Sequence, residues 1–332
     1  MSEIVLSICI PTYNREVYLQ YCIDSICRQM PAFWDKIELI VSDNCSEDAT
    51  EALVKDYQKK YPKIRYNRNE SNVGVDRNLE WCFKNAVGKY FWIIGDDDLV
   101  LDDKLKLIFT LLEKEEPAML YLNGYSFVDD HRKEQPSRKT IFPKSAVKQF
   151  SQYGFVKNIN YLLTFGTGNI VDKTLLDNTI DFNKFSDSNL SQTAWYFSIM
   201  LNGKKFIKIN EFCIAAKRNN SGGYSLFRVF SINFNELMDY FISHKKMPFK
   251  YKRVINFNLL LSFFPYYLLA FRKNNLGAFV KENPSEILFS VYKNNIWFYL
   301  FVYPIIKLPV FAALIYHKFA LNLLTRIRNE FV

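Results

Sequence analysis

The sequence predicts an α/β chain, a mainly parallel sheet with helices on both faces, followed by a C-terminal α-helical region. Three observations predict it. Short apolar runs alternate with apolar residues at helical spacing as far as Leu122. Polar and acidic segments follow the apolar runs directly. Beyond Gly223 the chain turns basic and its apolar stretches become long and proline-broken.

Val5 to Ile10 is a continuous apolar run, as expected of a strand buried on both faces. Leu19, Cys22, Ile23, Ile26 and Met30 then recur at helical spacing. Ile37 to Val41 is a second buried strand, and Asp48-Ala49-Thr50-Glu51 is a capping-box variant opening the next helix. Ile64 to Tyr66 is a third strand, a helix runs from about Asp76 to Ala86, and Tyr90 to Ile94 is a fourth strand. A helix near Lys104 to Lys114 and a strand at Ala118 to Leu122 follow. Such βαβ alternation implies a parallel sheet with its ligands at the carboxyl ends of the strands.

Asp129 to Phe150 is polar and basic and is expected to be a loop. Ala194 to Leu201 is an apolar helix and Lys205 to Ile209 a late strand. Asn219-Asn220-Ser221-Gly222-Gly223 is the clearest flexible stretch and sets an expected boundary between residues 1–220 and 221–332.

About half of the 332 residues are hydrophobic, which excludes disorder as the default. The six cysteines form no Cys-x-x-Cys pair and there are three histidines, so a Cys/His zinc site is not expected. The cysteines are expected to be reduced core residues of a cytosolic protein, and Met1 onward carries no secretory signal. The net charge of +9 is uneven: from Lys245 on, 13 Lys and Arg face 3 Asp and Glu, whereas the first 244 residues hold 30 and 31. No G-x-G-x-x-G, Walker A or G-x-S-x-G pattern occurs, which argues against dehydrogenases, P-loop ATPases and α/β-hydrolases.

The chemistry gathers behind the strands. Gly95-Asp96-Asp97-Asp98 places three acids after the fourth strand. Close carboxylates repel unless a hard cation such as Mn²⁺ or Mg²⁺ relieves them. The alternative is an acidic helix start leading on from Leu99. Asp43 either bonds a base or ribose or closes an Asx turn. Tyr13 either stacks on a base or packs beneath its loop. Arg77 either reaches a phosphate from a helix start or is an exposed helix charge. Asp129-Asp130-His131 is a rival metal site for which turn chemistry is the stronger reading.

Four blocks together resemble the family 2 glycosyltransferases of the GT-A (Rossmann-like) fold: Ser7-Ile8-Cys9-Ile10-Pro11-Thr12-Tyr13-Asn14-Arg15, Val41-Ser42-Asp43-Asn44, Asn72-Val73-Gly74-Val75-Asp76-Arg77-Asn78 and Trp92-Ile93-Ile94-Gly95-Asp96-Asp97-Asp98. Within the family the wording is similar to the bacterial abequosyltransferase-like subgroup, which adds a deoxysugar to a lipid-linked surface polysaccharide unit. The resemblance implies a GT-A catalytic domain over residues 1–220. A nucleotide-sugar donor would be held by Pro11, Thr12, Tyr13, Arg15, Asp43, Asn44, Arg77 and Asp96, with Asp96, Asp97 and Asp98 matching the metal motif. It implies transfer of a single hexosyl or deoxyhexosyl group to a polyprenyl-linked saccharide, in O-antigen or capsule assembly. One departure stands out: Phe185-Ser186-Asp187-Ser188-Asn189-Leu190-Ser191-Gln192 lies where typical inverting members carry a Glu-Asp pair. Asp187 is the nearest carboxylate, and Gln192 can orient an acceptor. A non-catalytic, membrane-associated nucleotide-binding or scaffold protein is the rival reading.

Val254 to Phe271 and Ile296 to Tyr316 are apolar runs interrupted by Pro265, Pro304, Lys307 and Pro309. In the last helix Lys318, Asn322, Thr325, Arg326 and Asn329 fall on one stripe. That pattern predicts a helix lying on an anionic membrane surface, hence a peripheral location at the inner face of the cell membrane and no nucleic-acid partner. A helical bundle packed on protein is the alternative, and oligomerisation is left open.

Overall fold

A computed structural model describes residues 4–136, 146–218, 223–273 and 282–330, with residues 322–330 as backbone. The chain packs as two compact units, Met1–Asn220 and Ser221–Val332.

The first unit is built on a nine-stranded sheet. β1 (Leu6–Thr12), β2 (Ile37–Asp43), β3 (Ile64–Arg68) and β4 (Tyr90–Ile93) form a parallel half in the order β3-β2-β1-β4. β1, β2 and β4 are buried on both faces because helices cover both, whereas at the edge strand β3 only Ile64 is buried. α1 (Glu16–Cys27), α2 (Thr50–Lys60) and α3 (Val75–Asn85) supply the crossovers.

Past β4 the sheet departs from the expected mainly parallel pattern. β5 (Leu99–Val100), α4 (Lys104–Glu115), β6 (Met119–Phe127), β7 (Val147–Phe150), α5 (Gln152–Ile159), β8 (Asn169–Asp172), α6 (Ser191–Asn202) and β9 (Phe206–Lys217) follow. β8 inserts antiparallel between β4 and β6, β6 pairs parallel with β9, and β5 and β7 pair antiparallel with β9. The sheet is therefore mixed. β8 hides inside a stretch whose glycines and polar residues mask its four-residue strand, Asn-Ile-Val-Asp. β7 likewise ends the segment expected to be loop throughout; residues 137–145 of that segment lie outside the described residues.

Two local expectations change. The box at Asp48 does not close through Glu51. Asp48 Oδ1 accepts from the Thr50 amide (3.1 Å) while its Oδ2 accepts from the Glu16 amide of α1 (3.0 Å). Glu16 Oε2 in turn accepts from the Ala49 amide (2.7 Å). Each acid thus satisfies an orphan amide at the start of the other's helix. The acidic run is also not a helix start, because α4 begins only at Lys104, beyond the strand β5.

The second unit is helical. The run through Pro265 is one continuous helix, Phe249–Arg272. Pro265 lacks an amide donor and would clash with the preceding turn. The helix absorbs this through a π-helical stretch at Leu259–Phe263. A second π stretch, Phe298–Val302, precedes Pro304, and Pro309 separates it from the last helix, Val310–Glu330. Phe249–Arg272 is long and apolar enough to cross a membrane, yet half of its most apolar window is buried inside the chain. Of the predicted polar stripe only Lys318 has a described side chain, and it is exposed; Asn322, Thr325, Arg326 and Asn329 lie outside those described, as does 219–222 of the expected flexible stretch.

Candidate active site

The carboxyl ends of β1, β2 and β4 meet at one edge of the parallel half, as the register of β1 between its two neighbours requires. The acidic run lies there, and its three residues are 5%, 7% and 5% exposed. Thr12 Oγ1 donates to Asp96 Oδ2 (2.8 Å). Arg15 Nη1 donates to Asp96 Oδ1 (2.9 Å) and Nη2 to Asp97 Oδ2 (2.7 Å). Thr167 Oγ1 donates to Asp98 Oδ2 (2.5 Å), and the Lys217 amide to Asp98 Oδ1 (3.1 Å). A Cβ at Gly95 would sit 3.1 Å from Asp98 Oδ2 and 3.3 Å from Asp97 Oδ1, so glycine there lets the carboxylates fold back over the backbone.

Burial pushes the Asp96 carboxyl up to about 7, against the pull of Arg15. Burial, then the charge of Asp97, pushes Asp98 up as well. Such strain is expected of carboxylates gathered for a cation. The donor set is all oxygen, which suits Mn²⁺ or Mg²⁺. No three His, Cys, Asp or Glu side chains converge as a cage among the described residues. A hard cation that uses one or two carboxylates and completes its shell with substrate phosphates does not require one.

The remaining predicted residues divide. Pro11 and Thr12 end β1, and Tyr13 and Arg15 lie on the turn after it, where Tyr13 is exposed. Asp43 is fully buried: Oδ1 accepts from the Ser46 amide (2.8 Å) and Oδ2 from the Tyr66 hydroxyl (2.7 Å). Asp43 thus closes an Asx turn with Ser46. Asn44 joins three loops. Its amide donates to Thr12 O, its Nδ2 to Asn72 Oδ1, and its Oδ1 accepts from the Val73 amide. Arg77 is exposed in the first turn of α3.

At α6 the two catalytic candidates separate. Gln192 Nε2 donates to Thr164 O (3.1 Å), in the segment that also carries Thr167, and Gln192 Oε1 is buried with no partner. Asp187 is exposed on the turn before α6. The Asp129-Asp130-His131 rival is turn chemistry: Asp130 Oδ1 accepts from the Arg132 amide, and Glu134 accepts from the amides of Val128, Asp129 and Asp130. Asp129, Asp130, His131 and Asp97 line one open groove of 1410 Å³.

Sequence reasoning missed Thr167 and Asp76. Thr167 lies in Gly166-Thr167-Gly168, a segment without a strand or helix signal. Asp76 is buried, and its carboxylate accepts from the Asn189 amide (2.7 Å) and the Ser191 hydroxyl (2.9 Å), capping α6 from α3. Its place inside Asp76-Arg77-Asn78 was the available signal.

A half-parallel sheet with a carboxylate cluster at the strand ends is the architecture of the GT-A fold class. The glycosyl transferase family 2 profile matches residues 7–179, and the chain belongs to that family. It is 40% identical over 119 residues to the abequosyltransferase RfbV of Salmonella typhimurium, over 36% of this chain and 35% of that one. It is 33% identical over 125 residues to the GalNAc(5)-diNAcBac-PP-undecaprenol beta-1,3-glucosyltransferase of Campylobacter jejuni, over 37% and 38%. The chain thus spans little more than a third of either relative's length. In structure it is similar to S. aureus TarS 1–349 in complex with UDP-GlcNAc, with TM-score 0.60, 16% identity, and 88% and 82% of the two chains covered. It is also similar to the mannosyltransferase PcManGT of Pyrobaculum calidifontis in complex with GDP-Man and Mn²⁺, with TM-score 0.55, 15% identity, and 96% and 87% covered.

Proposed function

We propose that the chain transfers a single sugar from a nucleoside-diphosphate sugar to a hydroxyl of a lipid-linked saccharide, in bacterial surface polysaccharide assembly such as O-antigen or capsule. The observation that carries the reading is the convergence of Thr12, Arg15 and three buried carboxylates at the ends of β1 and β4. The Campylobacter jejuni relative, named for a PP-undecaprenol-linked saccharide, supports the acceptor class. Carboxylates from among Asp96, Asp97 and Asp98 would hold a Mn²⁺ or Mg²⁺ ion, which when bound supplies positive charge for the departing diphosphate. Tyr13, exposed after β1, offers its ring to the base. Asp43 and Asn44 hold the surrounding loops in place. Arg77 is an exposed cation for the diphosphate.

The acceptor hydroxyl must lose a proton. Asp187 is the proposed base, and Gln192, with an unpartnered carbonyl oxygen, orients the hydroxyl. Asp187→Asn should leave donor binding intact while slowing transfer; an unchanged rate removes Asp187 from the mechanism. Purified protein assayed against a panel of nucleotide sugars with Mn²⁺ tests the whole reading. The rival, a membrane-associated nucleotide-binding scaffold without catalysis, is favoured by one observation: α6 opens with Ser191-Gln192 where an acid is expected. Metal-dependent release of sugar from one donor rejects it; none from any donor supports it.

The second unit is proposed to rest on an anionic membrane from the cytoplasmic side. Phe311, Ile315 and Phe319, spaced four apart on the last helix, are 76%, 56% and 64% exposed, and Lys307 and Lys318 are exposed nearby in sequence. Apolar side chains flanked by lysines suit an anionic interface. Flotation with phosphatidylglycerol vesicles should be lost in the Phe311→Asp/Phe319→Asp double variant, and retention of flotation would dismiss this face.

A further inference from the structure

Arg15 occupies the carboxylates that a metal would need. Its guanidinium spans Asp96 Oδ1 and Asp97 Oδ2, its side chain is 20% exposed, and the Tyr18 ring centroid is 5.1 Å from its Cζ. Thr12 takes the second oxygen of Asp96, while Thr167 and the Lys217 amide take both oxygens of Asp98. Among the described residues, Asp97 Oδ1 is the carboxylate oxygen of the run that is left without a donor. A dication arriving alone therefore meets a positive charge and carboxylates already in use.

We infer that Arg15 is a resident counter-cation that keeps free metal off the acidic run and moves to the donor's diphosphate when metal and diphosphate bind together. This rests on the metal-assisted transfer proposed above. The physical reason lies in the guanidinium. Once a dication neutralises Asp96 and Asp97, Arg15 would be a largely buried charge without a partner, which is unfavourable. A diphosphate offers the planar fork an equivalent set of oxygens. Arg15 stands at the N-cap position of α1, after Asn14 in the left-handed region (φ 52°), so its backbone is set by the turn and an exchange of partners falls to its side chain. Metal and diphosphate should then bind with positive coupling, each removing an obstacle to the other.

The test uses two probes on the full chain, Mn²⁺ alone followed by electron paramagnetic resonance, and the preformed manganese–pyrophosphate complex followed by calorimetry. Arg15→Gln should bind Mn²⁺ alone about tenfold more tightly than the unaltered protein and bind manganese–pyrophosphate about tenfold more weakly, a coupling of ordinary size. These opposite shifts are what a merely structural arginine would not produce, since lost structure weakens both. Arg15→Lys keeps the charge but cannot span two carboxylates, and it should shift both affinities the same ways by less. Should Arg15→Gln fail to fold by circular dichroism, Arg15→Lys decides. Mn²⁺ affinity unchanged or weakened in the folded variant overturns the inference. If the unaltered protein takes up no manganese–pyrophosphate at all, the metal-assisted reading itself falls.

Discussion

The two units spend their burial differently. In the first, carboxylates are driven into the interior: Glu38, Asp43, Asp76 and Asp96 to Asp98 are all buried, each with named donors. In the second, the interior is aromatic, with Phe227, Phe234, Phe241, Phe264 and Phe298 fully buried, and its polar cluster is neutral. There Asn235 Nδ2 donates to the Tyr292 hydroxyl (3.0 Å), and Asn256 Nδ2 donates to Asn235 Oδ1 (2.8 Å). Burying charge is costly unless it is paired, so a chain that does it repeatedly in one unit has a use for it there. A neutral amide cluster fixes how helices pack and offers no comparable charge to a ligand.

The sharpest way to test that contrast is Asp98→Asn. Transfer should fall by about a thousandfold, the scale of losing one transition-state electrostatic contact. The melting temperature of the metal-free protein should hold or rise, because a repelled, desolvated charge is gone while the Thr167 and Lys217 contacts can be kept. A mutant that loses activity and stability together would mean that the carboxylate is structural. Full transfer in excess chelator would break the metal assignment outright.

Asp76→Ala comes next. It strands two donors at the start of α6 and should lower stability by about 2 kcal/mol in denaturant titrations, whereas Asp76→Asn should recover part of the loss. Within the second unit, Tyr292→Phe should lower stability by about 1 kcal/mol without altering nucleotide binding, as a purely architectural contact would. The smallest effect is in pH. Asp96 is pushed up to about 7 and Asp98 in the same direction, against about 3.9 in an unfolded chain. In that window the folded state binds more protons, so metal-free stability should fall as pH rises from about 4 to 7. Thermal scans across this range should show the slope, and the Asp96→Asn/Asp98→Asn variant should flatten it.

The parallel half was legible because β1, β2 and β4 are largely apolar runs followed by polar turn chemistry, while β3, Ile-Arg-Tyr-Asn-Arg, takes its place from the alternation around it. Ile37 to Val41 needs no partner to be recognised. β8 was not legible, since four residues between Gly168 and Lys173 take their strand character from inserting between β4 and β6. The same holds within the site. Asp96 to Asp98 announce themselves by adjacency. Thr167 and the Lys217 amide reach Asp98 from 69 and 119 residues away, and that pairing exists only in three dimensions. Asp43 is of both kinds: its bond to the Ser46 amide is local, while its bond to the Tyr66 hydroxyl exists only in three dimensions.

The crossed contacts between Glu16 and Asp48 have a consequence for how the proposed donor site would meet its ligand. The Asn14 amide donates to Ser46 Oγ, and the Glu47 amide to Asn14 Oδ1, so the turns after β1 and β2 are stitched together along their length. Two loops that would otherwise each lose freedom on binding behave as one preorganised lip, with that entropy already spent in folding. A substitution at Glu16 or Asp48, neither of which is a predicted ligand contact, would reach the donor by loosening that lip.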